Sequence, residues 1–322
     1  MIALGVASGC HAGEGGDFGF ADGESGGSTI TAAATGSEGS SGAVADTDAS
    51  SSEGDSGSGE STGAADESTG GPLPTEPCTT LDILLVVDNS DTMAEEQAKL
   101  STAIGPFVGM VQSQLPGVMG SIHVAVLSTD SPDFVTSSTA ATCLPFASGA
   151  NWMAYGDTLS TELACATDVG VAGDPDERPM QMTIDALSPE QLGVDGFNEG
   201  FLREDGPLVV VVVTDEEDDL EEVTEWGSPG DPADWVEAVA AVKGGYTQDV
   251  VALALVGIDK PNACPEYQWN GMDGAELSPR LVEFTESFER HAVGDVCAGD
   301  YGNFLNPAVA QIVAACAEYV PP

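Results

Sequence analysis

Positive charge is scarce in this chain. Seven Lys and Arg stand against 54 Asp and Glu in 322 residues, a formal net charge of −47 at pH 7. Without a basic patch there is no footprint for nucleic acid, which is excluded as a partner. An anionic membrane surface repels such a chain as well. Histidine is scarcer still: His11, His123 and His291 are too scattered to supply a ligand pair, and none of the seven cysteines forms a C-x-x-C spacing, so a zinc site is a poor reading. No stretch is apolar for long enough to span a bilayer, which leaves the membrane within reach only through a lipid anchor. There is no G-x-x-x-x-G-K phosphate loop, and no histidine joins a serine or cysteine nucleophile in a recognisable motif. The chain therefore does not read as an enzyme, apart from the less favoured case of a metal-dependent hydrolase in which a cation activates water.

What is present divides the chain unevenly. Residues 11 to 77 contain no Lys or Arg, are dominated by Gly, Ser, Thr, Ala, Asp and Glu, and nearly repeat at Glu60-Ser61-Thr62-Gly63 and Glu67-Ser68-Thr69-Gly70. Such a composition cannot bury enough apolar surface to offset its ordering entropy, and predicts a disordered, self-repelling N-terminal tether. Residues 78 to 322 have the length of one α/β domain. They keep all 7 basic residues and, once the 13 acids of residues 1 to 77 are taken from 54, 41 acidic ones, a net charge near −34. Charge on this scale calls for screening counterions, as in salty water or a cation-rich envelope.

The domain opens on Leu81 to Thr92, LDILLVVDNSDT. Six of its first seven residues are apolar, which predicts a central parallel strand covered on both faces. Asp88, Asn89, Ser90, Asp91 and Thr92 follow where that strand leaves the sheet, the edge at which ligands bind in open α/β folds. Leu208 to Val213 repeats the pattern and runs into Thr214-Asp215-Glu216-Glu217-Asp218-Asp219. Between and after these, apolar spacing predicts helices over 93 to 114 (bent or broken at Gly105-Pro106), 177 to 187, 232 to 243, 279 to 290 and 306 to 319. Strands are predicted at Ile122 to Ser128 and Val250 to Val256, with a short edge strand near 291 to 297. Residues 130 to 176 read as an irregular insertion, either shaping a ligand surface or a disulfide-stapled decoration. The fold class is α/β: a doubly wound, mostly parallel central sheet flanked by helices.

Asp88, Ser90 and Thr92 alternate, so a tight loop can aim three hard oxygen donors at one small divalent cation. At these residues the chain resembles the von Willebrand factor type A (VWA) family, whose metal-ion-dependent adhesion site begins with D-x-S-x-S. The order of predicted elements over about 79 to 320 is similar to the doubly wound, Rossmann-like sheet of that family. The resemblance implies a divalent cation, Mg2+ or Ca2+, bound by Asp88, Ser90 and Thr92 from the first motif and Asp215 from the last. The family's middle threonine has no counterpart, since none lies between Thr167 and Thr183; Glu177 or Asp176 stands there as a substitute oxygen ligand. The alternative for Asp88 and Ser90 is loop capping of backbone amides. The acidic run Glu216, Glu217, Asp218, Asp219, Glu221 and Glu222 reads as a solvated face, with a dedicated calcium site as its alternative.

The first ten residues, MIALGVASGC, resemble the end of a bacterial lipoprotein signal, with Cys10 as the lipidated residue; an incidental apolar start is the alternative. Six cysteines remain, an even number that suits an exported, disulfide-bonded domain. Fifteen pairings are open. Closeness along the chain favours Cys143 with Cys165 and Cys264 with Cys297, and a bridge from Cys78 to Cys316 resembles the terminal clasp of some VWA domains. Taken together, the chain resembles the VWA-containing surface lipoproteins of myxobacteria. That implies a cell-surface or secreted binding module that recognises a protein or polysaccharide at the metal-bearing edge. The alternative is a structural envelope component whose metal only fixes the fold.

Overall fold

The structure, a computed structural model, describes residues 77–118, 121–174, 177–219, 227–268 and 274–320. The expectations for Cys10, for the acidic segment up to residue 76, and for Asp176, Glu221 and Glu222 lie outside the described residues.

Three apolar runs form the middle of the sheet: β1 (Leu81–Val87), β4 (Leu208–Val213) and β5 (Val250–Val256), in which every residue is buried. Burial on both faces is what lets such strands dispense with polar alternation. β2 (Ile122–Ser128), β3 (Met153–Ala154) and β6 (Arg290–Asp295) complete a six-stranded sheet of order β3-β2-β1-β4-β5-β6. All neighbours are parallel except the β2/β3 pair. Alternate β1 residues feed opposite cores. Ile83, Leu85 and Val87 pack with α1 (Ala94–Gln114), α2 (Leu159–Ala166) and α7 (Gly302–Ala317). Leu84 and Val86 pack with α3 (Pro179–Ala186), α5 (Pro232–Ala241) and α6 (Pro279–Glu286). The short α4 (Pro189–Leu192) starts at Ser188, whose side chain accepts from Gln191 N.

Two expectations are corrected. α1 runs through Pro106 as one helix, which overturns the expected break. Gly105 offers no Cβ to clash with the proline ring, and Thr102, whose carbonyl loses its amide partner, sits with Pro106 on the exposed face. The segment 130 to 176 is not merely irregular: it contributes β3 to the sheet and α2 to the core. The three disulfides are Cys78–Cys316, Cys143–Cys165 and Cys264–Cys297. Such bonds form and persist in an oxidising compartment. Among the described residues no helix is long and apolar enough to cross a membrane.

The amino end of the sheet is held by a buried charge cluster. Asp82, inside β1 and fully buried, accepts from Arg203 N (2.8 Å) and Arg203 Nε (2.8 Å), with Lys243 Nζ at 3.8 Å. Burial pushes the Asp82 carboxyl up, and Arg203 and Lys243 oppose that. Beside it, His123 donates from Nδ1 to Phe201 O (2.8 Å) and stacks on Trp152. Burial lowers its pKa to about 4, so it stays neutral at pH 7.

Candidate metal centre

The order of strands reverses direction between β1 and β4, which makes the gap beyond their carboxyl ends the topological switch point. Their register brings Val87 level with Val213, so the residues that follow emerge side by side. Pairing continues one step further, with Asp88 N donating to Val213 O (3.0 Å) and Thr214 N to Leu255 O (3.1 Å). The chain then turns through Asn89 to Met93 into α1.

Oxygen atoms link up across this gap. Asp88, fully buried, accepts from Ser90 N at Oδ1 (2.7 Å) and from the Thr214 hydroxyl at Oδ2 (2.7 Å). Thr92 donates to Asp215 Oδ1 (3.0 Å), and with its one proton spent there it accepts from Ser90 Oγ at 3.0 Å. The capping alternative holds in part, since Asp88 does fasten a loop amide. It does not extend to the helix: Met93, the residue ahead of α1, provides no side-chain cap. Gln97, buried one turn into α1, ties the Asp88 carbonyl (2.9 Å) to Gly170 O (2.7 Å).

Glu177 arrives from the segment before α3 and places its carboxylate beside that of Asp88. It is 2% exposed, and neither of its oxygens has a hydrogen-bond partner. The nearby Thr129 hydroxyl spends its proton on Asn89 Oδ1 (2.9 Å), and Asn89 Nδ2 in turn donates to Asp130 (2.9 Å). Burial first, then the charge of Asp88, push Glu177 up to about 11; the same two causes push Asp215 up to about 7. Burial pushes Asp88 up too, against the donors that face it. Among the described residues, no Lys, Arg or His forms an ion pair with any of the three.

Three buried carboxylates, two hydroxyls and no balancing cationic side chain form a donor set of hard oxygens, and Glu177 lacks the partner that a buried polar group needs. These residues fit a divalent cation. The structure brings together Asp88, Ser90, Thr92, Asp215 and Glu177. It adds Thr214, Thr129, Asn89 and Gln97; the first three follow the ends of predicted strands, whereas Gln97, inside α1, carried no sequence signal.

Two of the four described residues of the acidic run after Asp215 do not belong to a solvated face. Glu217 and Asp218 are buried, and each fastens a helix start. Glu217 accepts from Arg280 N (2.7 Å) and Leu281 N (3.3 Å) at the head of α6. Asp218 accepts from Met180 N (3.0 Å) at the head of α3 and from Ser228 N and Oγ (both 2.7 Å). Burial raises them to about 7 and about 6. Asp219 alone of the described run is exposed.

Among the described residues, the only Asp, Glu, His or Cys ligand atoms that gather in threes within 4.8 Å belong to Cys264, Asp295 and Cys297. Both sulfurs there are spent in a disulfide, and Asp295 accepts from Cys297 N (2.9 Å), so that trio is a structural knot. The carboxylates at the switch point stand further apart, with the hydroxyls of Ser90 and Thr92 between Asp88 and Asp215. A polar cavity of about 250 Å³ opens beside Thr92 and Asp215 and is rimmed by Glu95, Glu96 and Lys99. A roomier groove of about 780 Å³ lies along α6 and shares no residue with this site.

No protein-family model matches the chain, and no curated protein is significantly similar to it. Among solved structures it is similar to proximal thread matrix protein 1 of the mussel byssus, at 13% identity and a TM-score of 0.41, over 76% of this chain and 50% of that one. It is also similar to the pilus adhesin SpaC of Lactobacillus rhamnosus GG, at 12% identity and a TM-score of 0.37, over 74% of this chain and 31% of that one. The chain thus spans half the length of the first and under a third of the second.

Proposed function

We propose that this protein is an extracytoplasmic, cation-dependent binding module of the VWA type, recognising a protein or polysaccharide at the carboxyl edge of its sheet. One observation carries the reading: oxygen side chains from the ends of two central strands meet at the switch point, with a buried, unpartnered Glu177 among them. Asp88, Ser90, Thr92, Asp215 and Glu177 would hold the ion. When bound, the ion supplies a Lewis-acidic centre at an edge that the cavity beside Thr92 leaves accessible. Binding rather than catalysis is supported by the two described histidines, each of which bonds a backbone carbonyl, Phe201 O or Phe288 O, instead of a nucleophile. Three disulfides support export, and lipidation at Cys10 would complete a surface lipoprotein.

A second reading takes the ion as purely structural, and the burial of Glu177 favours it, because a carboxylate supplied by the protein can fill the place a ligand would take. Two measurements separate the readings. Calorimetric titration of magnesium, calcium and manganese into the chelator-stripped protein should give saturable binding that is lost in Asp88→Ala and Asp215→Ala. The same protein is then screened on arrays of polysaccharides and extracellular proteins. Capture that needs the cation and fails in Asp215→Ala supports the adhesive reading. Cation binding with no cation-dependent capture gives the lead to the structural one.

A further inference from the structure

Glu177 differs from the other carboxylates of the site in how its oxygens are used. Asp88 commits one oxygen to the Ser90 amide and the other to the Thr214 hydroxyl, and Asp215 accepts from Thr92. Glu177 accepts from no N–H donor at either oxygen although it is 2% exposed, and it faces only the Asp88 carboxyl and the Thr129 hydroxyl, whose proton goes to Asn89. Nor is it free to swing out to water. It lies two residues before Pro179, the first residue of α3, and that helix start is pinned by Asp218 through Met180 N and by Ser228 Oγ through Gln181 N (2.7 Å). A side chain held inside the protein with two vacant acceptors beside a second carboxylate is built to meet a cation.

We propose that Glu177 decides which cation the site holds, by offering both oxygens to one ion and so selecting calcium over magnesium. The inference rests on the cation reading given above. Calcium accepts six to eight oxygens in adaptable geometry and takes carboxylates through both oxygens, whereas magnesium demands a near-ideal octahedron and keeps several waters. A buried carboxylate with two free oxygens, next to Asp88 and a ring of hydroxyls, provides the anionic, many-oxygen surroundings of the larger ion.

The test uses the full chain stripped by chelator, with calcium chloride and magnesium chloride as probes at matched ionic strength. Calorimetry and thermal unfolding are compared for wild type, Glu177→Gln, Asp88→Asn and the exposed control Asp219→Asn. Wild type should bind calcium at least about tenfold more tightly than magnesium. Glu177→Gln should lose about tenfold or more in calcium affinity with little change for magnesium, while Asp219→Asn leaves both unchanged. In chelator, Glu177→Gln should unfold at about the wild-type temperature, because the amide keeps the size of the side chain and breaks no hydrogen bond that Glu177 accepts. A calcium-to-magnesium ratio that survives Glu177→Gln, or a wild-type preference for magnesium, would overturn the proposal while leaving the cation site standing. Unfolding of Glu177→Gln below wild type in chelator would assign the residue to structural support and overturn it too. No saturable binding of either metal to wild type would remove the site itself.

Discussion

Asp218 and Asp219 are adjacent, chemically identical and differently placed. Asp218 is fully buried and closes three donors, while Asp219 is exposed. Asp218→Ala should therefore lower unfolding free energy by about 2 to 4 kcal/mol, as loss of a buried, multiply bonded carboxylate does. Asp219→Ala should stay within about 0.5 kcal/mol of wild type. Chemical denaturation of the two variants checks this, and equal effects would return the run to a solvated face. From the sequence these residues look alike, because acidity in a loop says nothing about which amides lie opposite. The donors of Asp218 come from Met180 and Ser228, 38 and 10 residues away. Asp88, Ser90, Thr92 and Asp215 were legible for the opposite reason. Each follows a long apolar run, and the end of such a run fixes where a residue emerges. Glu177 follows no strand, so only its place ahead of a helix marked it.

At the scale of elements, the three central strands are continuous apolar runs with polar borders, and their bounds can be read directly. β3 could not be, since two residues establish no alternation. α2 has the sequence LSTELACA, too short and too mixed for its helical period to stand out, yet Leu163 and Ala166 are fully buried against α1 and the sheet. The insertion also supports the site. Gly173 N donates to Asn89 O (2.8 Å), and a Cβ on Gly173 would fall 2.7 Å from that same oxygen and 2.4 Å from Asn89 Nδ2. Gly173→Ala should push the segment leading to Glu177 away from the β1–α1 turn. Cation-induced thermal stabilisation should then drop by about half or more while the metal-free protein loses only about 1 to 2 kcal/mol. Thermal unfolding with and without calcium reads both, and an undiminished calcium effect would show that the two loops need not touch.

Across the whole molecule, charge is the dominant feature. Five of the seven basic side chains are drawn into the fold: Lys99 lies between Glu95 and Glu96, Arg203 and Lys243 clamp Asp82, Arg280 packs over Trp235, and Arg290 meets Glu318. Little positive charge is left to balance the acidic surface, so the compact state repels itself at low ionic strength. Raising sodium chloride from about 0.05 M to about 1 M should shorten the screening length from over 10 Å to about 3 Å and raise the unfolding midpoint by several degrees. A midpoint that stays level or falls would mean that the charges are already arranged in self-compensating pairs.

The bond between Cys78 and Cys316 joins the chain three residues ahead of β1 to the final helix, and Asp88 lies at the other end of the same strand. A pull between the chain ahead of Cys78 and a partner held beyond Asp88 would run along the length of β1. That strand is bonded on both sides by parallel neighbours, so β1 could slide past them only by breaking its hydrogen bonds in shear, all together, rather than peeling them off one after another. The disulfide would share such a load at the point of entry, because it ties Cys78 to α7 as well as to the chain leading into β1. In the proposed binding role, traction would run along the central strand of the domain.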